Sequence, residues 1–395
     1  MLFSTTAGAG HFGPMIPIAH ACAAAGHAVA VAAPASFAAH VAKAGLAHLP
    51  FPDVPADQMG AVFSRLPSLP REEGNRIVIG EIFGRLDAQA ALPTLIDLTR
   101  DWRPDIVVRD PCEFGSLVAA ERYGVPQVQV AIGMGQFLPT VAAWLDEPIR
   151  ELERMAGLDD VRGVERVLST PTFTSVPADL DGADAADGDG RPRGSRVWRF
   201  RTEISAEGAS LPAEWGDATA PLVYVSFGSV AGSVGHFDAL YPAVLEVLAA
   251  QPVRVLMTTG SGFDPAQLDR LPANAWATQW WPQAAAMREA ALVIGHGGFG
   301  TTMTALAAGV PQLVLPLFSS DQFLNAQQIE AVGVGVQLLG GLAAVPEVPG
   351  LVQKLLDEPH YAEAARRVAA DMAVLPDATT TVTVLEDLAS SRRRP

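Results

Sequence analysis

Short apolar runs alternate with longer amphipathic stretches along the first third of the chain, which is the pattern of strands followed by helices. The runs that predict strands cover residues 2–6, 28–33, 47–50, 105–109 and 127–131, and predicted helices cover 14–25, 36–44, 76–100 and a stretch from about 113. Residues 53–75 are rich in proline and polar side chains and are predicted to form loops. Apolar strands that alternate with helices are typical of a parallel sheet covered on both faces.

This alternation stops after about residue 175 and resumes in the second half of the chain. Residues 179–215 are predicted to be a loop or linker, because their first part combines many Asp, Gly, Ala, Pro and Arg residues. Beyond it, strands are predicted at 221–226, 253–258, 291–295, 312–315 and 335–338, with helices at 237–250 and within 348–388. The sequence therefore predicts an α/β protein with two doubly wound parallel-sheet domains, over 1–200 and 216–375.

Composition narrows the class of protein. The 395 residues are 49% apolar, which excludes global disorder, and their net charge of −16 disfavours binding to nucleic acid. Two cysteines, Cys22 and Cys112, suit a reducing, cytoplasmic location and do not provide a disulfide framework. No signal peptide is predicted, because the apolar N-terminus has no basic region and is interrupted at residues 10–14. No membrane insertion is predicted, because glycines and prolines divide the uncharged stretch 290–318 into short segments.

A glycine-rich loop follows the first predicted strand. Gly8, Gly10 and Gly13 match the GxGxxG pattern of dinucleotide-binding loops, which also requires an acidic residue about 20 positions further on. No Asp or Glu occurs before Asp53, so this pattern gives only weak support for a nicotinamide site. A nicotinamide oxidoreductase is kept as an alternative.

The same loop contains His11, which lies where a strand ends and a helix begins. In the usual strand order 3-2-1-4-5, the first and fourth strands are neighbours about 4.8 Å apart, so Asp110 at the end of the fourth strand should lie close to His11. An imidazole paired with a carboxylate can take a proton from a substrate hydroxyl. The alternatives are a hydrogen-bonded loop histidine and an aspartate that caps the next helix.

The second half carries a second candidate site. A strand-to-helix turn that begins at His296 and ends at Thr301 exposes backbone N–H groups that suit a diphosphate, and a further turn ends at Ser229. Trp280 could stack on a nucleobase and Gln283 could bond its edge, while Asp321 and Gln322 could hold sugar hydroxyls. The alternative is a buried tryptophan pair, a packing turn and a helix cap at Asp321.

Together these segments resemble family 1 nucleotide-sugar glycosyltransferases of the GT-B fold, especially the actinobacterial natural-product enzymes. The motifs are Gly10-His11-Phe12-Gly13-Pro14, Trp280-x-Pro-Gln283, His296-Gly-Gly-x-Gly-Thr301 and Asp321-Gln322, and the resemblance covers residues 2 to about 388. It implies two Rossmann-like domains that face each other across a cleft, with a C-terminal helix over 376–395 that packs back on the N-terminal domain. It also implies inverting, metal-independent transfer with no cofactor besides the nucleotide-sugar co-substrate.

The resemblance assigns roles to individual residues. His11 is the base and Asp110 its partner. The nucleotide-sugar is held by Trp280 and Gln283 at the base, by Ser229, His296, Gly298, Gly300 and Thr301 at the diphosphate, and by Asp321 and Gln322 at the sugar.

One position departs from the family pattern and bears on the donor. Users of UDP-glucose often have Glu three positions after the counterpart of Thr301, where it bonds both ribose hydroxyls, and this chain has Thr304 there. Because deoxyribose lacks the 2′-hydroxyl, we expect a dTDP-sugar in preference to a UDP-sugar.

The expected acceptor is a small apolar aglycone. Phe12, Phe137 and Trp144 are candidates to line its pocket, with ordinary core packing as the alternative reading. A non-catalytic, transferase-like nucleotide-sugar binder that activates a partner enzyme is a third alternative. The sequence leaves open a homodimer, the identity of the aglycone and the type of linkage.

Overall fold

The computed structural model describes residues 1–181, 196–201, 210–212, 215–233, 237–268 and 270–391. Most of the predicted linker 179–215 lies outside these residues. By its internal contacts the chain divides into two units, one formed by Met1–Glu203 together with Leu375–Pro395 and the other by Ile204–Val374.

The first unit is built on a parallel sheet whose described strands follow the order β3-β2-β1-β4-β5-β6-β7. The strands are β1 Leu2–Ser4, β2 Ala30–Pro34, β3 Ala47–Phe51, β4 Val107–Arg109, β5 Gln127–Val130, β6 Thr172–Thr174 and β7 Val197–Arg199. Every residue of β1 and β4 is buried, as expected for central strands that helices cover on both faces.

Helices follow most of these strands. They are α1 Ala9–Phe12, α2 Ile16–Ala24, α3 Ala38–Lys43, α4 Ala56–Phe63, α5 Arg71–Arg76, α6 Ala88–Trp102, α7 Phe114–Arg122, α8 Phe137–Met155, α9 Val164–Leu168 and α10 Ala178–Asp181. The prediction of loops over 53–75 was wrong, because α4 and α5 lie there. Helices of eight and six residues are too short to display a clear helical period in a proline-rich segment.

The second unit has its own parallel sheet, with described strands in the order β10-β9-β8-β11-β12-β13. The strands are β8 Leu222–Ser226, β9 Arg254–Thr258, β10 Ala275–Thr278, β11 Ala290–Gly295, β12 Gln312–Val314 and β13 Gly335–Gln337, and the helices are α11 Leu240–Leu248, α12 Gln283–Glu289, α13 Phe299–Ala307, α14 Ser320–Ala331, α15 Val348–Asp357 and α16 Pro359–Ala373. The two doubly wound parallel sheets confirm the predicted fold class. Among the described helices, none is both long enough and apolar enough to cross a membrane.

The last helix, α17 Thr380–Ser391, belongs to the first unit. Its Val382 and Leu385 are buried in the same core cluster as Phe3 and Met15. At the helix surface, Glu386 lies 3.0 Å from the imidazole of His27. The final helix therefore contributes to the core around α2 and β1.

Both sheets reverse their strand order at one place, between β1 and β4 in the first unit and between β8 and β11 in the second. In open α/β sheets, the crevice beyond the carboxyl ends of the strands at such a reversal is where ligands bind. The loops that leave β1 and β4 carry His11 and Asp110, and those that leave β8 and β11 carry Ser229 and His296.

A continuous helix runs from α5 to α6 beside the first of these points. Its middle, Ile77–Asp87, is wound as a π-helix. Two glycines of this stretch lie against α8, since a Cβ added at Gly80 would lie 2.8 Å from the Trp144 carbonyl oxygen and one at Gly84 would lie 2.9 Å from Pro148 Cβ. The π-helical stretch therefore lies closer to α8 than any side chain at these two positions would allow.

We expect Gly80→Ala to destabilise the first unit by about 1–3 kcal/mol, because its methyl group would overlap a backbone carbonyl that cannot rotate away. Thermal unfolding measures the change. Gly60→Ala in α4 is the control, because a Cβ there meets nothing within 4 Å and alanine is the better helix former. Equal melting temperatures for Gly80→Ala and the wild type would contradict the close packing of the two helices.

Candidate active site

The imidazole of His11 and the carboxylate of Asp110 meet at the reversal point of the first sheet. His11 is the third residue of the short helix α1, and its Nδ1 lies 2.9 Å from Asp110 Oδ2. The histidine side chain is 21% exposed and the aspartate is fully buried. The histidine of the pair is therefore partly accessible to solvent, while the carboxylate is not.

Several further donors hold the Asp110 carboxylate. The backbone N–H and the hydroxyl of Thr6 donate to Oδ2 at 3.2 and 2.9 Å, and the N–H of Cys112 donates to Oδ1 at 2.8 Å. Burial alone would raise the pKa of Asp110, but the charge and hydrogen bond of His11, together with the backbone N–H groups of Cys112 and Thr6, hold that pKa below its usual value. Asp110 is therefore ionised at neutral pH.

The alternative role of Asp110 as a helix cap is excluded by the geometry. The N-cap of α7 is Glu113, whose carboxylate accepts from the Ser116 N–H at 3.1 Å. Ligand atoms of His11, Asp110 and Cys112 lie within 4.8 Å of one another, which is close enough to suit a metal ion. Since Asp110 Oδ2 already accepts from the Thr6 groups and faces His11 Nδ1, the arrangement is that of a hydrogen-bonded imidazole–carboxylate pair.

The three candidates for the acceptor pocket lie in different surroundings. Phe137 lines a cavity together with apolar residues of the 131–138 segment and the polar side chains of Gln129 and Thr172. Trp144 is partly buried and packs on the apolar cluster beneath α8. Phe12 is 3% exposed and packs edge-on against Phe37, which favours a role in the core.

In the second unit, two glycines lie against the ring of His296. A Cβ at Gly228, whose φ is +77°, would lie 2.7 Å from His296 Cε1, and one at Gly298 would overlap Nε2 and Cε1 of the same ring. Burial lowers the pKa of His296 to about 4, and the hydrogen bond that its ring donates to the Ser226 carbonyl only partly opposes this. The ring is therefore neutral at pH 7, and its Nδ1 has no hydrogen-bond partner among the described residues.

The helix that follows, α13, begins with its N-cap at Gly298 and has no capping side chain. Its first intrahelical hydrogen bond runs from the Thr302 N–H to the Gly298 carbonyl, so the N–H groups of residues 299–301 have no acceptor within the helix. Gly300 is exposed at this end and Ser229 is exposed on the loop after β8. Such a helix start attracts anions.

Of the side chains predicted to contact the base and ribose, one is largely exposed and two form hydrogen bonds within the protein. Trp280 is 68% exposed. Gln283 donates from Nε2 to the Thr301 hydroxyl at 3.1 Å, which ties the start of α12 to α13. The Thr304 hydroxyl donates to the Gly300 carbonyl at 2.8 Å, so a ligand can only donate to it.

The pair predicted to hold the sugar lies at the start of α14. Asp321 accepts a short hydrogen bond from the Ser319 hydroxyl, and Ser319 is the N-cap. Gln322 is buried, and its Oε1 accepts from the N–H groups of Leu317 and Phe318 at 2.9 and 3.2 Å. Gln322 therefore shapes the loop between β12 and α14.

The sequence reasoning missed residues that support both loops. Thr6 supports Asp110, and Asn325 donates to the Gly297 carbonyl at 2.7 Å, where a φ of +81° requires glycine. In the π-helical stretch, the Phe83 ring lies 5.3 Å from the imidazole of His11, and Asp87 interacts electrostatically with His11. The sequence signal for Thr6 was its position at the end of the predicted strand 2–6.

The chain matches two family models, which are described as the N-terminal and C-terminal domains of Erythromycin biosynthesis protein CIII-like proteins, over residues 20–161 and 244–388. L-demethylnoviosyl transferase of Streptomyces niveus is 29% identical over 100% of this chain and 98% of its own length. TDP-daunosamine transferase DnrS of Streptomyces peucetius is 28% identical over 98% and 96%. The crystal structure of the glycosyltransferase SnogD from Streptomyces nogalater aligns over 98% of both chains, with 27% identity and a TM-score of 0.74.

The lowered pKa of the partly buried His296 predicts a pH dependence of stability. Its folded pKa of about 4 lies below the unfolded value of about 6.5, so the unfolded chain binds the extra proton first. The contribution of neutral His296 to the free energy of unfolding is fully present above pH 6.5 and is lost as the pH falls from 6.5 to 4. We expect His296→Gln to lose less free energy of unfolding over this range than the wild type, as measured by urea titration.

His360→Gln is the matched control, because His360 is exposed on α16 of the same unit. It should keep the wild-type pH dependence. A His296→Gln profile that runs parallel to the wild type would mean that the imidazole has the same pKa in the folded and unfolded states.

Proposed function

The chain belongs to the family of Erythromycin biosynthesis protein CIII-like glycosyltransferases, which transfer sugars from nucleotide donors in natural-product pathways, and we propose that it is an inverting, metal-independent member that uses a dTDP-sugar. Its acceptor is a hydroxyl of a small apolar aglycone. Membership of this family replaces the alternative of a nicotinamide oxidoreductase.

The hydrogen-bonded pair of His11 and Asp110 carries the proposal. Because the ionised Asp110 accepts from Nδ1–H, the neutral ring keeps its proton on Nδ1 and presents an unprotonated Nε2. Nε2 takes the proton of the acceptor hydroxyl while that oxygen bonds to the anomeric carbon and the carbon–oxygen bond to the diphosphate breaks. Attack on the face opposite the leaving group inverts the anomeric centre.

Backbone groups suit the leaving diphosphate. The segments that form the donor candidates, 221–233, 280–287 and 290–318, contain no Lys or Arg. The N–H groups at the start of α13 and the turn at Ser229 would hold the diphosphate and stabilise the charge that develops on it. This is the basis for proposing transfer without a metal.

The preference for dTDP is proposed from Thr304 and from one relative. The Thr304 hydroxyl already donates to a helix carbonyl, which leaves one weak acceptor where a carboxylate would bind two ribose hydroxyls. The name of the Streptomyces peucetius relative also specifies a TDP-sugar. For the acceptor, the cavity of Phe137 is apolar apart from Gln129 and Thr172, which suits an aglycone with few polar groups.

We expect His11→Ala to lower the rate of transfer by about 10²–10⁴-fold, as for the loss of a general base, while the Kd for dTDP stays within about twofold of the wild type. Product formation from a dTDP-sugar and a panel of apolar hydroxylated acceptors measures the first quantity, and calorimetry the second. His40→Ala, at an exposed position on α3, is the control and should retain transfer.

Three results would contradict the proposal. Equal loss of transfer and dTDP affinity would make His11 a structural residue. Binding of dTDP without transfer to any acceptor would favour the non-catalytic activator. A product with retained configuration, or transfer abolished by EDTA and restored by a divalent cation, would exclude the inverting, metal-independent mechanism.

We expect dTDP to raise the melting temperature more than UDP does at equal concentration, because Thr304 offers no strong acceptor for a 2′-hydroxyl. Thr304→Glu should reduce or reverse this order, and Thr302→Ser, a buried change on the same helix, should leave it unaltered. Larger stabilisation by UDP in the wild type would contradict the assignment.

A further inference from the structure

Asp87 is a carboxylate beside the proposed base that the mechanism has not used. It ends the π-helical stretch Ile77–Asp87, and Phe83 lies about one turn before it. Since the Phe83 ring lies 5.3 Å from the His11 ring, the helix face that carries residues 83 and 87 is directed at the imidazole. The close packing of Gly80 and Gly84 on α8 holds this face in place.

The surroundings of Asp87 are unusual for a carboxylate. It is partly buried and accepts no hydrogen bond from any residue in the described part of the chain. The charged groups that act on it come from four separate segments: His11 in α1, Asp110 after β4, Glu113 before α7 and Asp53 after β3. The pKa of Asp87 is raised to about 6, chiefly by burial. The positive charge of His11 lowers this pKa, and the three carboxylates raise it further.

In this environment the ionised form of Asp87 costs free energy unless another group stabilises its charge. A carboxylate that gives up part of its hydration without a hydrogen-bond donor loses free energy, and such groups concentrate at functional sites. Asp110 differs, because four donors satisfy it. Of the charged groups that act on Asp87, His11 is the only one that can become positive.

We propose that Asp87 is a positioning residue that acts through His11, because its charge raises the basicity of the imidazole and stabilises the imidazolium formed when Nε2 takes the acceptor proton. The inference rests on the proposed function of His11. The interaction between the two groups is mutual, so a positive His11 favours ionised Asp87 to the same extent as ionised Asp87 favours a positive His11. Asp110 bonds to the ring at Nδ1, and Asp87 adds a second negative charge without occupying a ring nitrogen.

The protonation state of Asp87 sets the sign of the pH effect. Above pH 6 Asp87 is mostly ionised and supports the base, and below pH 6 it becomes protonated and the support is lost. The acid side of the kcat/KM profile should therefore contain the titration of Asp87 in addition to that of His11.

NMR titration of the His11 ring tests the inference without any substrate. The His11 signal is identified by its loss in His11→Gln. We expect Asp87→Asn to lower the pKa of His11 by about half a unit or more, and Asp87→Glu, which keeps the charge, to restore most of it. Asp97→Asn is the matched control, because Asp97 is exposed on α6 of the same continuous helix, and it should leave the His11 pKa unchanged.

A transfer assay supplies the second readout. For Asp87→Asn we expect kcat to fall by about fivefold or more at pH 7, with little change in the KM of the donor and with an altered acid limb of the pH profile. An unchanged His11 pKa in folded Asp87→Asn would overturn the inference even if His11 proves essential. If Asp87→Asn lowers the His11 pKa but the wild-type protein transfers no sugar, the electrostatic coupling of Asp87 and His11 stands and the proposed function is rejected.

Discussion

A fully buried carboxylate that bonds to an imidazole, a hydroxyl and two backbone N–H groups is the interaction on which the first unit's site depends. Burial of Asp110 opposes its charge, and the donors around it outweigh that penalty. These donors come from the loop after β1 and the segment after β4, so the pairing of the two strands fixes the carboxylate and the imidazole relative to each other. A change that separates these two strands would therefore also separate the carboxylate from the imidazole.

The second unit uses the same topological position for a different chemistry. In the first unit, the side chains of His11 and Asp110 bond to each other. In the second unit, the loops after β8 and β11 place glycines against the ring of His296. Absence of a Cβ at Gly228 and Gly298 leaves space for the ring and leaves the start of α13 uncovered. The first loop pair is therefore suited to proton transfer, and the second to an anion.

Features that depend on strand order and local pattern could be predicted from the sequence. Two parallel sheets and the proximity of the segments after β1 and β4 required only the alternation of elements and the usual strand order. Contacts between residues distant in the chain could not be predicted in this way. Thr6 on Asp110, Asn325 on Gly297 and Asp87 beside His11 all depend on tertiary packing. The spacing of apolar residues likewise does not predict that Ile77–Asp87 is a π-helix. The need for glycine at positions 80 and 84 becomes clear only from their close approach to α8.

Net charge bears directly on how this chain can hold a nucleotide diphosphate. A protein of net charge −16 repels such a ligand at long range, and the donor segments provide no Lys or Arg to compensate. His296 is neutral at pH 7 in the free protein, because desolvation lowers its pKa to about 4. Among the described residues of these segments, the backbone N–H groups at the start of α13 provide positive potential, which acts over short distances. On the proposed function, donor affinity should then depend on access to those backbone groups more than on ionic strength.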